Sequence, residues 1–428
     1  MLLISLMKKL EAGTRILIKI KQGKEESGIV IESYEPGIIL LKLNSGYNIG
    51  IKKRDIKSVK ILEKPEKGEE RDEKIKGKGK PRIDIIMTGG TISSSLDVKT
   101  GGVKWLTKPS EFFKFYPEIF DFVDIKIINP FMKASENMDS GDWIKIAKIV
   151  ARSLNDQNVK GVIVTHGTDF LHYTASALSF MLRDLKKPVV LTYSQRSSDR
   201  GSSDARLNLL CSVRAALSDI AEVMLVGHAN SSDEYCYALR GTKVRKMHTS
   251  RRDTFRPINC KPLMKIFPDG KIEKISEYKK REKGKTKIDA VFNEKVALLK
   301  FYPGQDPKIL DAFKGYKGIV IEMSGLGHVI TEGKKNWIPK LKQLIGKGVV
   351  VCAACQTLYG RLDPMVYSPG RELEKIGIIY LSDMLPETAL VKLGYVLAKE
   401  KGKERIREAM LKNIAGEFNP RLGEDFLI

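Results

Sequence analysis

Over the first sixty residues apolar positions come in short, partly alternating runs: Thr14–Lys21, Ser27–Tyr34, Gly37–Leu43, Tyr47–Ile51 and Ile56–Leu62. Gly, Pro or Asn interrupts them, and Asn44-Ser45-Gly46 reads as a hairpin turn. This spacing predicts several antiparallel strands, a small all-β module of SH3-like barrel type over residues 1–62. Residues 63–81 are charged, carry Pro65, Gly68, Gly77 and Gly79, and hold almost no apolar side chain. They cannot bury a face and are expected to form an exposed linker.

From Arg82 the period changes. Arg82-Ile-Asp-Ile-Ile-Met87 is a continuous apolar run, as in a parallel strand covered on both faces. Val123–Ile128, Gly161–Thr165, Pro188–Thr192 and Glu222–Val226 repeat the pattern. Asp142–Leu154, His172–Leu185 and Ala205–Leu217 have helical periodicity between them. Alternating strands and helices predict an α/β lobe over 82–285 with a parallel sheet in a three-layer sandwich. After the Lys-rich Tyr278–Thr286 connection the alternation resumes. Strands are expected at Ala297–Phe301, Gly318–Glu322 and Gly348–Val351, and helices at Lys334–Leu344, Asp383–Leu397 and Glu404–Ile414. These define a second, smaller α/β lobe over 286–400 and a helical then irregular tail over 401–428.

Composition changes this picture little. Hydrophobic content of 42% and charged content of 30% suit a water-soluble globular chain, and no run approaches the roughly 20 apolar residues of a membrane span. Apolar Met1–Leu6 precedes Lys8, Lys9 and Glu11, the reverse of a secretory signal, so a cytoplasmic location is expected. The net charge of +23 fits either a polyanion partner such as nucleic acid or a Lys-rich thermophilic surface. Cys211, Cys236, Cys260, Cys352 and Cys355 form no disulfide framework; Cys352-Ala-Ala-Cys355 follows a buried strand and reads as a pair of core thiols. The histidines share no ligand spacing with carboxylates or cysteines, so no metal is expected.

Chemistry enters where two strands end. Met87-Thr-Gly-Gly-Thr-Ile92 and Gly161-Val-Ile-Val-Thr-His-Gly-Thr-Asp169 each turn sharply through glycine into threonine, at the strand end where open α/β sheets hold ligands. A threonine hydroxyl there can act as a nucleophile, with the backbone N–H groups of Gly89, Gly90 and Gly167 available to a developing oxyanion. Either motif alone is common. Two in one sheet, in this order, resemble the L-asparaginase/glutaminase family of amidohydrolases.

That resemblance covers roughly residues 82–400 and implies a two-lobed asparaginase-like fold. It implies that Thr91 is the nucleophile and that Thr168, Asp169 and Lys246 assist it. Lys246-Met-His-Thr-Ser-Arg-Arg-Asp-Thr-Phe255 is similar to the family's lysine segment; anchoring it on Phe255 selects Lys246, and a slipped register would select Lys243. Attack on a side-chain amide would give an acyl-Thr91 ester and ammonia, and water would then hydrolyse the ester. Asn129-Pro-Phe-Met-Lys-Ala-Ser-Glu-Asn-Met138 resembles the segment that holds the amino-acid head. It implies Ser135 for the α-carboxylate and Glu136, with Asp169, for the α-ammonium; the alternative for Ser135 is a helix cap ahead of Asp139–Trp143. His166 reads as a packed, hydrogen-bonded histidine rather than a base. The family's mobile loop after the first threonine carries an assisting tyrosine, whereas Ser93–Lys104 has none, with Val98 the nearest equivalent.

The added β module, the linker and Asn44-Ser-Gly-Tyr-Asn-Ile-Gly-Ile51 narrow the resemblance to the D-subunit family of archaeal glutamyl-tRNA(Gln) amidotransferases. It implies that glutamine is hydrolysed here and its ammonia passed to an E-subunit, which uses ATP and magnesium to convert Glu-tRNA(Gln) to Gln-tRNA(Gln). It also implies a homodimer within a heterotetramer, and no cofactor in this chain. A free-standing L-asparaginase with an extra domain and a non-catalytic RNA-binding subunit are the alternatives.

Overall fold

The computed structural model describes residues 10–64 apart from 12, 22, 32, 34, 36 and 44–47, then 79–96, 103–105, 117–198 and 202–423. The Asn44–Gly46 turn, most of the linker and Val98 lie outside the described residues.

The N-terminal module is a five-stranded antiparallel sheet of β1 (Arg15–Ile20), β2 (Glu25–Ile31), β3 (Ile38–Leu43), β4 (Asn48–Lys52) and β5 (Ile56–Glu63). Its order is β4-β3-β2-β1-β5, and a 3₁₀ turn at Lys53–Asp55 joins the last two strands. Alternate residues of these strands (Ile16, Ile18, Val30, Ile39, Leu41, Ile51 and Ile56) meet in a core of their own.

The first α/β lobe is built on β6 (Arg82–Met87), the short pair β7 (Ser94–Leu96) and β8 (Val103–Trp105), β9 (Asp124–Ile128) and β10 (Val159–Thr165). It continues through β11 (Leu182–Arg183), β12 (Val189–Thr192), β13 (Val223–His228) and β14 (Cys236–Arg240). β15 (Val244–Lys246), β16 (Phe255–Pro257), β17 (Met264–Ile266), β18 (Ile272–Lys274) and β19 (Lys287–Ile288) complete it. The main sheet has eight strands in the order β18-β17-β14-β13-β12-β10-β6-β9. Strands β9, β6, β10, β12 and β13 run parallel, whereas β14, β17 and β18 add an antiparallel edge that sequence periodicity did not predict. These edge strands are three to five residues long, too short to carry a readable period. Helices α1 (Ser140–Leu154), α2 (Leu171–Met181) and α3 (Ala205–Leu217) cover the parallel part.

The second lobe carries β20 (Val296–Lys300), β21 (Gly318–Met323), β22 (Val350–Cys355) and β23 (Ile379–Tyr380) in one parallel sheet. Its helices are α4 (Ile338–Gly346), α5 (Ser368–Lys375), α6 (Pro386–Lys399) and α7 (Lys403–Leu411); α5 escaped the sequence reading. Helix α2 packs against α6, so Ala175, Leu178, Ala389 and Leu393 share one core across both lobes. Cys352 and Cys355 are buried on β22, as core thiols. Among the described residues no helix is long and apolar enough to cross a membrane.

Candidate active site

The site begins with register. Met87 pairs with Thr165 across β6 and β10, so the two strands end level with each other. Thr88 then donates both its N–H (3.2 Å) and its hydroxyl (2.8 Å) to the Thr165 carbonyl, and its own carbonyl accepts from Lys133 N–H at 2.9 Å. Gly89 and Gly90 have φ of +132° and +87°, a region that L side chains avoid. A Cβ on Gly89 would lie 2.2 Å from the Lys133 carbonyl oxygen, and one on Gly90 2.4 Å from that of His166. Three chain turns therefore meet backbone to backbone, and only glycine permits it.

Thr91 leaves this junction at the start of a 3₁₀ turn, Thr91–Ser93. The β7–β8 pair follows at once. The Ser198 hydroxyl donates to the Ile92 carbonyl at 3.0 Å, so the stretch after β12 closes over the same turn. Nothing in the sequence marked Ser198, which lies 106 residues from its acceptor.

The β10 turn, whose His166–Gly167 backbone Gly90 packs against, carries Thr168 and Asp169. Lys246 Nζ donates to Thr168 Oγ1 at 2.8 Å and to Asp169 Oδ1 at 2.6 Å. The lysine side chain is 10% exposed and the aspartate 61%, so the ion pair spans the boundary between packed protein and solvent. Lys246 pairs directly with Phe255 across β15 and β16. Lys243 is elsewhere: it is fully buried, with Nζ 2.6 Å from Asp383 Oδ2.

Ser135 is buried beside the same turn. A Cβ on Gly167 would come within 3.0 Å of Ser135 Oγ, which accepts a long hydrogen bond of 3.4 Å from Phe170 N–H. The capping alternative is overturned, because Asp139 is the N-cap of α1 and forms a capping box with Asp142. Glu136 is exposed on the short 3₁₀ turn that Ser135 opens.

Two histidines beneath the site are neutral. His166 is fully buried, with Nδ1 2.7 Å from the Gly167 carbonyl and Nε2 2.8 Å from Thr174 Oγ1. A carbonyl only accepts, so Nδ1 carries the proton and Nε2 accepts from the threonine hydroxyl. Burial pushes its pKa down to about 4. His172 falls further, to about 3, through burial and then the positive charges of Arg245 and Lys246. His172, Tyr173, Arg245, Glu387, Asp169 and Lys246 border a cleft of about 420 Å³ beside the lysine.

Chemically the arrangement offers one hydroxyl on the turn after β6 (Thr91), and on the adjoining β10 turn a second hydroxyl linked through an ammonium to a carboxylate. The two turns meet where Gly90 approaches the His166–Gly167 backbone. That fold and that chemistry define the asparaginase/glutaminase class of amidohydrolases. The family described as "Asparaginase, N-terminal" matches residues 82–280, "Glutaminase/Asparaginase C-terminal domain" residues 295–410, and "GatD N-terminal domain" residues 10–62. Among solved structures, an L-asparaginase from Thermococcus kodakarensis has a TM-score of 0.71 at 27% identity, covering 79% of this chain and all of that one. A Vibrio cholerae L-asparaginase I gives 0.68 at 29%, covering 79% and 99%. Among curated sequences, the D-subunit of a glutamyl-tRNA(Gln) amidotransferase from Thermococcus kodakarensis is 49% identical over 96% of this chain and 95% of its own length. Its counterpart in Sulfolobus acidocaldarius is 44% identical over 93% and 90%. The chain belongs to the D-subunit family of glutamyl-tRNA(Gln) amidotransferases.

Proposed function

We propose that this chain is the glutaminase subunit of a tRNA-dependent amidotransferase, working in the cytoplasm. Thr91 Oγ attacks the side-chain amide carbon of glutamine and its proton passes to the departing nitrogen. The C–N bond breaks, ammonia leaves, and an ester links the glutamyl group to Thr91. Water then cleaves the ester to glutamate and restores the hydroxyl. Thr168, Lys246 and Asp169 carry the proton, and Gly89, Gly90 and Gly167 supply N–H donors to the tetrahedral oxyanion. Ser135 takes the α-carboxylate, and Glu136 with Asp169 takes the α-ammonium.

The observation that carries this reading is Lys246 Nζ within 2.8 Å of Thr168 and 2.6 Å of Asp169, on the turn after β10, a strand that ends level with the one preceding Thr91. The match of residues 10–62 to a domain specific to this family, together with near-complete coverage of relatives bearing the amidotransferase name, favours transfer of the ammonia over simple release. The acceptor would be Glu-tRNA(Gln) on a partner E-subunit that carries ATP and magnesium, with two copies of each subunit in the complex.

The test is ammonia release from glutamine and from asparagine, by the chain alone and with the E-subunit, Glu-tRNA(Gln) and ATP. Glutamine hydrolysis stimulated by the full mixture and abolished by Thr91→Ala is expected. Strong asparagine hydrolysis by the chain alone, indifferent to tRNA, would replace the proposal with a free-standing asparaginase.

A further inference from the structure

Lys246 sits on β15, which lies outside the eight-stranded sheet and, among the described residues, pairs only with the three-residue β16. A ribbon of that length does not by itself fix a long, flexible side chain. Beside first-lobe packing of Phe255 on Tyr193 and His172, it is supported from the other lobe. Asp383, three residues ahead of α6, accepts Lys243 Nζ through both its carbonyl (2.9 Å) and its carboxylate (2.6 Å). In the first turn of α6, the Thr388 hydroxyl donates to the Thr242 carbonyl at 3.0 Å, and Glu387 Oε1 lies 3.1 Å from Arg245 Nη2. Residues 242, 243 and 245 are thus all gripped from one helix end, and residue 246 is the lysine of the site.

Glu387 is a costly group to keep there. It is buried, and its second oxygen has no hydrogen-bond partner among the described residues. Burial raises its pKa, opposed by the charge of Arg245. Around it stand Arg245 and Tyr173 from the first lobe, and Glu322 and Lys300 from the second. A carboxylate held so expensively against an arginine marks a position where geometry matters more than stability.

We propose that Glu387 and Arg245 form a positioning pair through which the second lobe sets the reach of Lys246 toward Thr168 and Asp169. Neither touches the reacting atoms. The proposal rests on the reading of Lys246 as part of the reacting group, and it makes the seam between the lobes a place where a displacement of one lobe would change the site of the other.

The test is the steady-state rate of ammonia release from glutamine by the full chain, assayed alone and in the reconstituted complex. Glu387→Ala is expected to lower kcat about tenfold or more with KM within twofold, while Glu387→Gln, which keeps an acceptor for Arg245, retains a third or more of kcat. Arg245→Met reads the same pair from a partly exposed side chain, so it does not depend on α6 tolerating the first change. The double variant is expected to lose no more than the worse single one. Asn259→Ala removes a different contact between the lobes, from Asn259 Nδ2 to the Gly360 carbonyl, and is expected to leave kcat within twofold. Unchanged kcat in Glu387→Ala, additive losses in the double variant, or an equal loss in Asn259→Ala would each overturn the inference. Its failure is separable from failure of the glutaminase reading: in that case Thr91→Ala, not these variants, would leave hydrolysis intact.

Discussion

Lys243 and Lys246 stand three residues apart, and each holds an aspartate at 2.6 Å. Their surroundings differ completely. Both members of the Lys243–Asp383 pair are inaccessible to solvent, and the aspartate also accepts from the Asn419 backbone and side chain, tying the tail to the seam. The Lys246–Asp169 pair is covered on the lysine side and open on the aspartate side. The same two residue types therefore do opposite work. Sealed on both sides, the pair fastens lobes; open on one side, it leaves a carboxylate able to meet a ligand while the ammonium is held against a hydroxyl.

The most direct way to break this contrast is Lys246→Gln. Positioned proton transfer contributes on the order of 10²–10⁴-fold to rate, so glutamine hydrolysis should fall roughly 10³-fold. The side chain closes no core, so thermal unfolding should stay close to that of the wild type. A large drop in melting temperature accompanying the loss would make Lys246 a structural residue like Lys243.

Lys243→Met tests the other half. It strands Asp383 in the interior, and breaking a buried pair by removing one partner typically costs about 3–5 kcal/mol. The two Asn419 hydrogen bonds that remain argue for the lower end, about 3 kcal/mol. Replacing both partners, as in Lys243→Met with Asp383→Asn, should recover part of that stability, because no uncompensated charge is left and the amide oxygen still accepts from the Asn419 backbone. Equilibrium denaturation of the two variants decides it; a double variant no better than the single would mean that the pair is not the source of the cost.

The histidines beneath the site extend the contrast to pH. His166 has a pKa of about 4 in the fold against an ordinary value of about 6.5. Between those values the unfolded chain binds a proton that the fold refuses, so stability falls as pH drops from about 6.5 to about 4 and is fully present above that window. For a fully buried group a shift of this size corresponds to about 3 kcal/mol. His166→Gln should start less stable at pH 7, through loss of its two hydrogen bonds, yet show a flatter decline on acidification. Parallel stability curves for wild type and variant between pH 7 and pH 4 would assign the acid sensitivity to other groups.

Much of this architecture was legible because its signals are local. The β6 run of Ile83, Ile85, Ile86 and Met87 is buried on both faces, and the Gly-Thr turns after β6 and β10 sit where small residues must let backbones touch. Lys246 was placed by the resemblance of its segment, anchored on Phe255, and the structure sets its Nζ against Thr168 and Asp169. What escaped was set by distant chain. Ser198 meets Ile92 and Glu387 meets Arg245 only because strands and lobes have packed, and no spacing along the chain encodes either contact. Helix α5, eight residues opened by a Ser-Pro-Gly start, is shorter than a periodic signal needs. The capping alternative for Ser135 failed for a related reason: Asp139 with Asp142 is the stronger local capping pair, and Ser135 lies against Gly167 instead.

The smallest expected effect is the most discriminating. Asp169→Asn removes the exposed charge of the open pair but keeps its shape. Because that carboxylate is mostly solvated, its pairing with Lys246 is screened, and stability should change by no more than about 0.5 kcal/mol. Lys246 keeps its hydrogen bond to Thr168, so the proton path should survive. What the variant loses is a negative charge for the substrate's α-ammonium, so KM for glutamine should rise about tenfold, equivalent to about 1.4 kcal/mol, with a smaller effect on kcat. The split between the two constants is the reading. A kcat lost as deeply as in Lys246→Gln, with KM unmoved, would put Asp169 wholly on the proton path; the exposed face of the pair would then serve solvent contact rather than recognition.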